Sequence, residues 1–253
     1  MKIIISPAKK MNIDTDTYPV AELPVFLEDA ETLMREFQKL SFQEAKTLWK
    51  CNDKLAELNY DRFRVMDLRR SLTPAVLAYE GLQYQHMAPE VFTEKALTYI
   101  GEHLRILSGF YGILRPFDGV TPYRLEMQAR FPVNGTKNLY EFWGCRLYRE
   151  LTREDHVILN LASKEYAKAV EPYCTPEDRF ITAEFGEWKD GKVRQTGTFA
   201  KMARGEMVRY LAENQIADPE GVKAFRELGL VFCEELSAPS HYVFVRTEGR
   251  EPR

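Results

Sequence analysis

The stretch HVILNLASKEYAKAV, residues 156–170, changes character at its midpoint. Residues 156–161 are an apolar run of strand length, and residues 163–170 carry apolar positions at helical spacing. A buried strand therefore leads straight into a helix, the mark of a chain that mixes helices with sheet. Three polar residues, Asn160, Ser163 and Lys164, fall at the junction, where α/β architectures collect ligands. Ser163 also fits a helix N-cap with Tyr166 packed beneath it. Glu165 is placed to serve as a general base or to pair with a lysine. No nucleophile-elbow pattern surrounds Ser163, so a serine hydrolase gains little support.

Outward from this junction, residues 2–6 read as a short buried strand stopped by Pro7. Helical patterns then dominate as far as residue 115. One covers 25–40, with an apolar stripe of Phe26, Leu33, Phe37 and Leu40. The capping box Ser41-Phe-Gln-Glu44 opens a second, running to Lys50. Further helices are expected over 53–68 and 74–79, and a strongly amphipathic one over 93–107 ending at Ser108-Gly109. In the second half, 138–151, 198–213 and 219–228 read as helices. Residues 179–188 and 192–197 read as a hairpin across Asp190-Gly191. Residues 231–236 and 241–246 read as closing strands, and the tail 247–253 is expected to fray. No repeat, low-complexity segment or linker divides the chain. The expectation is α+β: one compact mixed α/β domain over residues 1–253, with five or six strands flanked by helices.

With 253 residues, 45% of them hydrophobic, the chain can bury a core without disulfide or metal staples. Mean hydropathy is −0.39 and no apolar run reaches the ~18–20 residues of a membrane span, which excludes an integral membrane protein. The opening strand ends too soon for a signal-peptide core. Cys51, Cys145, Cys174 and Cys233 lie dozens of residues apart with no C-x-x-C spacing. That argues against a disulfide framework and a structural zinc site, and fits a cytoplasmic protein. The four histidines show no metal-ligand spacing either, so neither a metal nor a cofactor is expected.

The net charge of −3 hides a segregation. Residues 11–61 carry eleven acids against five bases, and residues 189–209 carry six bases against two acids. Such a distribution leaves room for one cationic cleft on an acidic body, although solvated helix faces produce the same pattern. Three more segments offer chemistry. Gly109 and Gly112, with Arg115 beyond them, resemble a turn whose backbone N–H groups approach a phosphate; a C-cap and a packing glycine are the plainer alternative. Lys201, Arg204 and Val208 share a helical face, with Met202 and Met207 turned inward, and Arg209 adds a further cation. Ser6 and the Lys9-Lys10 pair follow the first strand.

Five motifs carry a resemblance: ISPAKKM at 5–11, LSGFYGILRPFDGVTPYRLEM at 107–127, NLYEFW at 138–143, NLASKEYAK at 160–168 and KMARGEMVRY at 201–210. Together, and in this order, they resemble the YaaA family of bacterial peroxide-stress proteins over nearly the whole chain. The resemblance implies a single domain of unusual topology with a positively charged cleft and a helix-hairpin-helix element. It also implies sequence-independent binding of duplex and junction DNA, and a role in limiting oxidative DNA damage linked to unincorporated iron. Matched motif by motif, the implied phosphate contacts are Lys9, the turn Gly109–Gly112 with Arg115, Arg124, Lys164, Lys201 and Arg204, with Lys168 and Arg209 beside them. Lys10-Met11 and Met202 depart from the family pattern. No catalytic residue is carried over.

The leading expectation is thus a DNA-binding stress protein, more readily a binder than an enzyme. The alternative is an enzyme whose polar pocket of Ser6, Glu126, Asn160, Ser163 and Glu165 acts on a nucleotide or flipped base. Direct iron sequestration lacks any clustered ligand set in the sequence.

Overall fold

The computed structural model describes residues 1–189 and 192–246, so the Asp190-Gly191 turn and the tail 247–253 lie outside the described residues. Eight strands build its main sheet: β1 (Lys2–Ile5), β2 (Leu104–Ser108), β3 (Gly112–Leu114), β4 (Val157–Asn160), β5 (Arg179–Lys189), β6 (Lys192–Arg194), β7 (Leu230–Phe232) and β8 (His241–Arg246). Their order is β7-β8-β5-β4-β1-β2-β3, with β6 paired to β5. The five strands β8, β5, β4, β1 and β2 run parallel, while β7, β3 and β6 pair antiparallel with their neighbours. Inner parallel strands are covered on both faces and so read as continuous apolar runs. KIII of β1 and LRILS of β2 are buried throughout.

That burial explains the largest correction. The helix expected over 93–107 is N-capped by Thr93 but spans only Glu94–His103. Leu104–Ser108 then pairs with β1, Ile3 opposite Leu104 and Ile5 opposite Ile106, and the chain turns back as β3 with Ser108 opposite Gly112. The segment expected to form a helix-hairpin-helix is a buried β-hairpin. An apolar run of five residues suits either state, and pairing with the central strand decides it.

Smaller differences follow from local breaks. The helix expected over 138–151 divides into Leu139–Trp143 and Arg146–Leu151 at Gly144, whose φ is +51°. The third helix is Asp53–Arg64, the fourth shrinks to Ala75–Ala78, and 219–228 retains only Pro219–Val222 as α-helix. The strand expected over 231–236 is β7 followed by a 3₁₀ turn, Glu234–Leu236.

The first three helices close around Phe37, whose ring stacks on Phe63 at 4.1 Å and on Trp49 at 5.0 Å. Helix Phe42–Trp49 starts at the expected capping box: Ser41 Oγ accepts from the Glu44 N–H, and the Glu44 carboxylate accepts from the Ser41 N–H. Ser41→Ala removes one half of that exchange. We expect a loss of about 1 kcal/mol, seen as a Tm lower by about 2–4 °C in a thermal melt.

Candidate functional site

Residues 6–9 leave the C-terminal end of β1, and residues 161–165 leave that of β4. Because β1 and β4 are parallel neighbours, both segments emerge at the same edge of the sheet. The strands flanking this pair lie on opposite sides, β2 beside β1 and β5 beside β4. The edge between them is therefore a topological switch point, where outgoing connections diverge and leave a crevice. Ser6 Oγ accepts the Ser163 N–H at 2.9 Å and lies 3.3 Å from Ser163 Oγ. Ser163 occupies the expected N-cap position, but its hydroxyl caps nothing and faces Ser6 instead.

A cavity of about 410 Å³ opens over this junction. The described residues lining it include the cations Lys9, Lys10, Arg124, Lys201 and Arg204 and the carboxylates Glu80, Glu126 and Glu165. Close backbone approaches bring these segments together. A Cβ on Gly109 would sit 2.9 Å from the Glu126 carbonyl carbon, so only glycine lets the segment with Arg124 and Glu126 cross the hairpin. Tyr123 is anchored through its hydroxyl, 2.8 Å from Tyr79 Oη and 2.6 Å from Ser108 Oγ. Gly205 lets helix Gly197–Glu213 press on helix Leu82–Met87: a Cβ there would collide with the Gln83 carbonyl oxygen and sit 2.8 Å from His86 Cβ. Arg204 and Gln83 thereby face one cavity.

The charges are unevenly matched. Glu126 accepts from Arg124 at 3.1 Å and lies 3.3 Å from Lys9 Nζ, and Lys10 pairs with Glu80. Burial pushes the Glu165 carboxyl above its ordinary range, reinforced by the Glu126 charge, although the Gln128 N–H donates to it at 3.2 Å. Burial also lowers the Arg204 guanidinium pKa. Among the described residues, none gives Lys201 or Arg204 an ion pair or hydrogen bond. Among the described residues, three buried side-chain nitrogens have no partner: Gln83 Nε2, Arg124 Nε and Arg204 Nε, all on residues that line this cavity.

Of the residues singled out from sequence, the cavity gathers Ser6, Lys9, Arg124, Glu126, Ser163, Glu165, Lys201 and Arg204. Lys164 is exposed between two lining residues, and Lys168 is exposed with its ammonium 4.9 Å from the Tyr140 ring centre. Asn160 is not in the cavity. It is buried, donates to Thr182 Oγ1 at 3.1 Å and accepts from the Ala162 N–H at 2.9 Å, fixing the turn after β4. Arg209 pairs with Glu213 at 2.9 Å, and Val208 is buried rather than on the cationic face. Gly109 and Gly112 are buried, and the intervening N–H groups of Phe110 and Tyr111 donate to Ser108 Oγ. Those donors are spent within the hairpin and cannot cradle a phosphate. Sequence reasoning missed Gln83, Tyr84 and Leu82. Gln83 carries no motif at all; the one available signal was the mid-helix Gly205 that packs on it.

Arg115 lies elsewhere, 3.1 Å from Glu22 in a separate cavity of about 130 Å³ that also holds Arg105 and Asp118. Burial raises the Asp118 carboxyl from 3.8 to about 7, against the opposing effects of the Arg115 N–H and charge. The folded chain thus keeps this proton to higher pH than the unfolded chain. Its contribution to stability is complete below about pH 4 and is lost as pH rises through 7. Asp118→Asn keeps an oxygen for the Arg115 N–H and removes that loss. The variant should melt about 4 °C above the wild type at pH 8, with the margin shrinking steadily from pH 7 to pH 4.

The sheet and this edge define a mixed α/β protein with a polar cavity at the switch point of a largely parallel sheet. The profile of a family described as "Peroxide stress protein YaaA" matches residues 1–236. A UPF0246 protein of Agathobacter rectalis is 53% identical over 246 residues, covering 97% of this chain and 99% of the relative. UPF0246 proteins of Lactiplantibacillus plantarum and Pediococcus pentosaceus are 54% and 50% identical over 97% and 98% of the chain, each matched over 99% of its own length. The chain belongs to the YaaA peroxide-stress family. Among the described residues, no helix is long and apolar enough to cross a membrane, and no group of three or more His, Cys, Asp or Glu is placed to hold a metal ion.

Proposed function

We propose that this peroxide-stress protein binds the phosphate backbone of duplex or junction DNA without reading sequence, in the cytoplasm, and so limits oxidative damage tied to unincorporated iron. The observation that carries the reading is the meeting of Lys9 and Lys201, from separate segments, in one crevice, with Lys164 and Lys168 exposed on the segment that follows β4. Lys9 follows β1, Lys164 and Lys168 follow β4, and Lys201 rises from helix Gly197–Glu213. All four are exposed, and neither Lys164 nor Lys201 has a carboxylate partner among the described residues. Side chains of this kind suit phosphate contacts, which position a duplex and carry no sequence information. Four free cysteines fit a reducing compartment. The iron-linked role comes from the family alone.

The test is a titration of the purified protein against fluorescent duplex and four-way-junction DNA at several salt concentrations. With about four phosphates neutralised, log K should fall against log salt with a slope near −4, independent of base sequence. Absence of binding at ~10 µM protein in low salt would overturn the reading, since non-specific binders reach that range.

A further inference from the structure

We infer that the cavity above β1 and β4 is a nucleotide site: it receives one nucleoside monophosphate unit, either free or swung out of a DNA strand. Only the second source rests on the DNA-binding reading.

Gln83 is 6% exposed and the Arg124 side chain 10% exposed, yet among the described residues Gln83 Nε2, Arg124 Nε and Arg204 Nε have no acceptor. Folded proteins leave few buried polar atoms unpaired, and each costs about 1–3 kcal/mol. No other buried side-chain nitrogen or oxygen among the described residues is unpaired. Three in one cavity, all donors, call for a ligand rich in acceptor oxygens or ring nitrogens.

Charge narrows the class. Among the described residues Arg204 has no carboxylate partner, and Lys201 stands three residues before it on the same helix face. A guanidinium in this position matches a phosphate or carboxylate. The Glu165 carboxylate is already engaged, accepting the Gln128 N–H at 3.2 Å.

Size and wall chemistry narrow it further. A volume of about 410 Å³ lies in the ~300–1,000 Å³ range of sites for organic ligands and is far larger than a bare oxyanion needs. Pro7, Leu82, Tyr84 and Leu125 supply apolar wall, which a planar base can cover and an inorganic ion cannot. The cavity also has an outer approach. An open groove of about 820 Å³, lined in part by Lys50 and Arg130, shares Lys9 and Glu126 with it. A strand lying in that groove would have the cavity beside it, and extruding one unit costs only a few kcal/mol.

The test uses the full chain. The 5′-monophosphates of adenosine, guanosine, cytidine and uridine, and inorganic phosphate, are titrated by calorimetry. In parallel, a duplex carrying one 2-aminopurine is followed by fluorescence. At least one monophosphate should bind more tightly than about 1 mM, with inorganic phosphate at least tenfold weaker. A several-fold fluorescence rise on the duplex marks a unit drawn from DNA; monophosphate binding without that rise marks a free nucleotide. Gln83→Met keeps side-chain length and deletes the orphan donor, so it should raise Tm by about 2–4 °C while weakening the monophosphate at least tenfold. A purely structural glutamine would not move stability and affinity in opposite directions. Failure of the pocket and failure of DNA binding are read separately, because the monophosphate titration contains no DNA and the salt-dependent duplex titration contains no monophosphate. The inference is overturned if no monophosphate binds at 1 mM and no fluorescence rise occurs, or if inorganic phosphate binds as tightly as the monophosphates.

Discussion

Lys164→Glu/Lys168→Glu/Lys201→Glu is expected to weaken duplex binding at least 100-fold at ~50 mM salt and to flatten the salt slope by about 3, a gel-shift or anisotropy measurement at four salt concentrations. Both numbers follow from counterion release. Each cation on a phosphate contributes close to one unit of slope, and reversing its sign replaces attraction with repulsion at the same place. The folded state should survive the change. All three lysines are exposed, and exposed substitutions typically shift stability by no more than ~0.5 kcal/mol. Lys168 gives up its position over Tyr140, an exposed cation–π contact of about 0.5–1 kcal/mol. A variant that melts like wild type, binds DNA like wild type and keeps the full slope would remove these lysines from the interface.

Gly205→Val is expected to lower stability by about 3 kcal/mol, a Tm loss of roughly 6–12 °C, and to abolish ligand binding in the cavity. A Cβ at this position collides with the Gln83 carbonyl oxygen and comes within 2.8 Å of His86 Cβ and 3.0 Å of the Met87 nitrogen. Two of those neighbours are backbone atoms that a rotamer change cannot move. Helix propensity would ordinarily favour almost any residue over glycine here, by up to about 1 kcal/mol, so a net loss measures the strength of the contact. The helices must separate, and Arg204 moves away from Gln83 as they do. The His86–Glu206 hydrogen bond of 2.8 Å, which joins the same pair of helices, should be lost with it. Thermal melts and the monophosphate titration check both parts.

Local signals in the chain were legible where a few neighbouring residues decide the outcome. The capping box at Ser41–Glu44 produced its helix, HVILNL produced β4, and the KMARGEMVRY stretch lies in helix Gly197–Glu213. Six of the eight candidate site residues in the cavity follow the ends of β1 and β4 or sit on one helix face, both of which spacing encodes, while Arg124 and Glu126 lie on an irregular segment held against Gly109. The hairpin at 104–114 was not legible, since LRILS lacks a periodicity of its own and becomes a strand only against β1. Arg115 illustrates the same limit: its motif is right, but β3 carries it into the cavity that holds Asp118.

Sequence alone therefore determined the mixture of helix and sheet, the motifs of the peroxide-stress family and most of the polar residues worth testing, because each depends on residues close together in the chain. Tertiary structure alone decided which strand ends are neighbours, how closely Gly205 brings two helices together and which donors are left unpaired. Those outcomes depend on atoms more than a hundred residues apart in sequence, such as Gln83 and Arg204. A hydrogen bond left unmade exists only once the fold has removed every alternative partner.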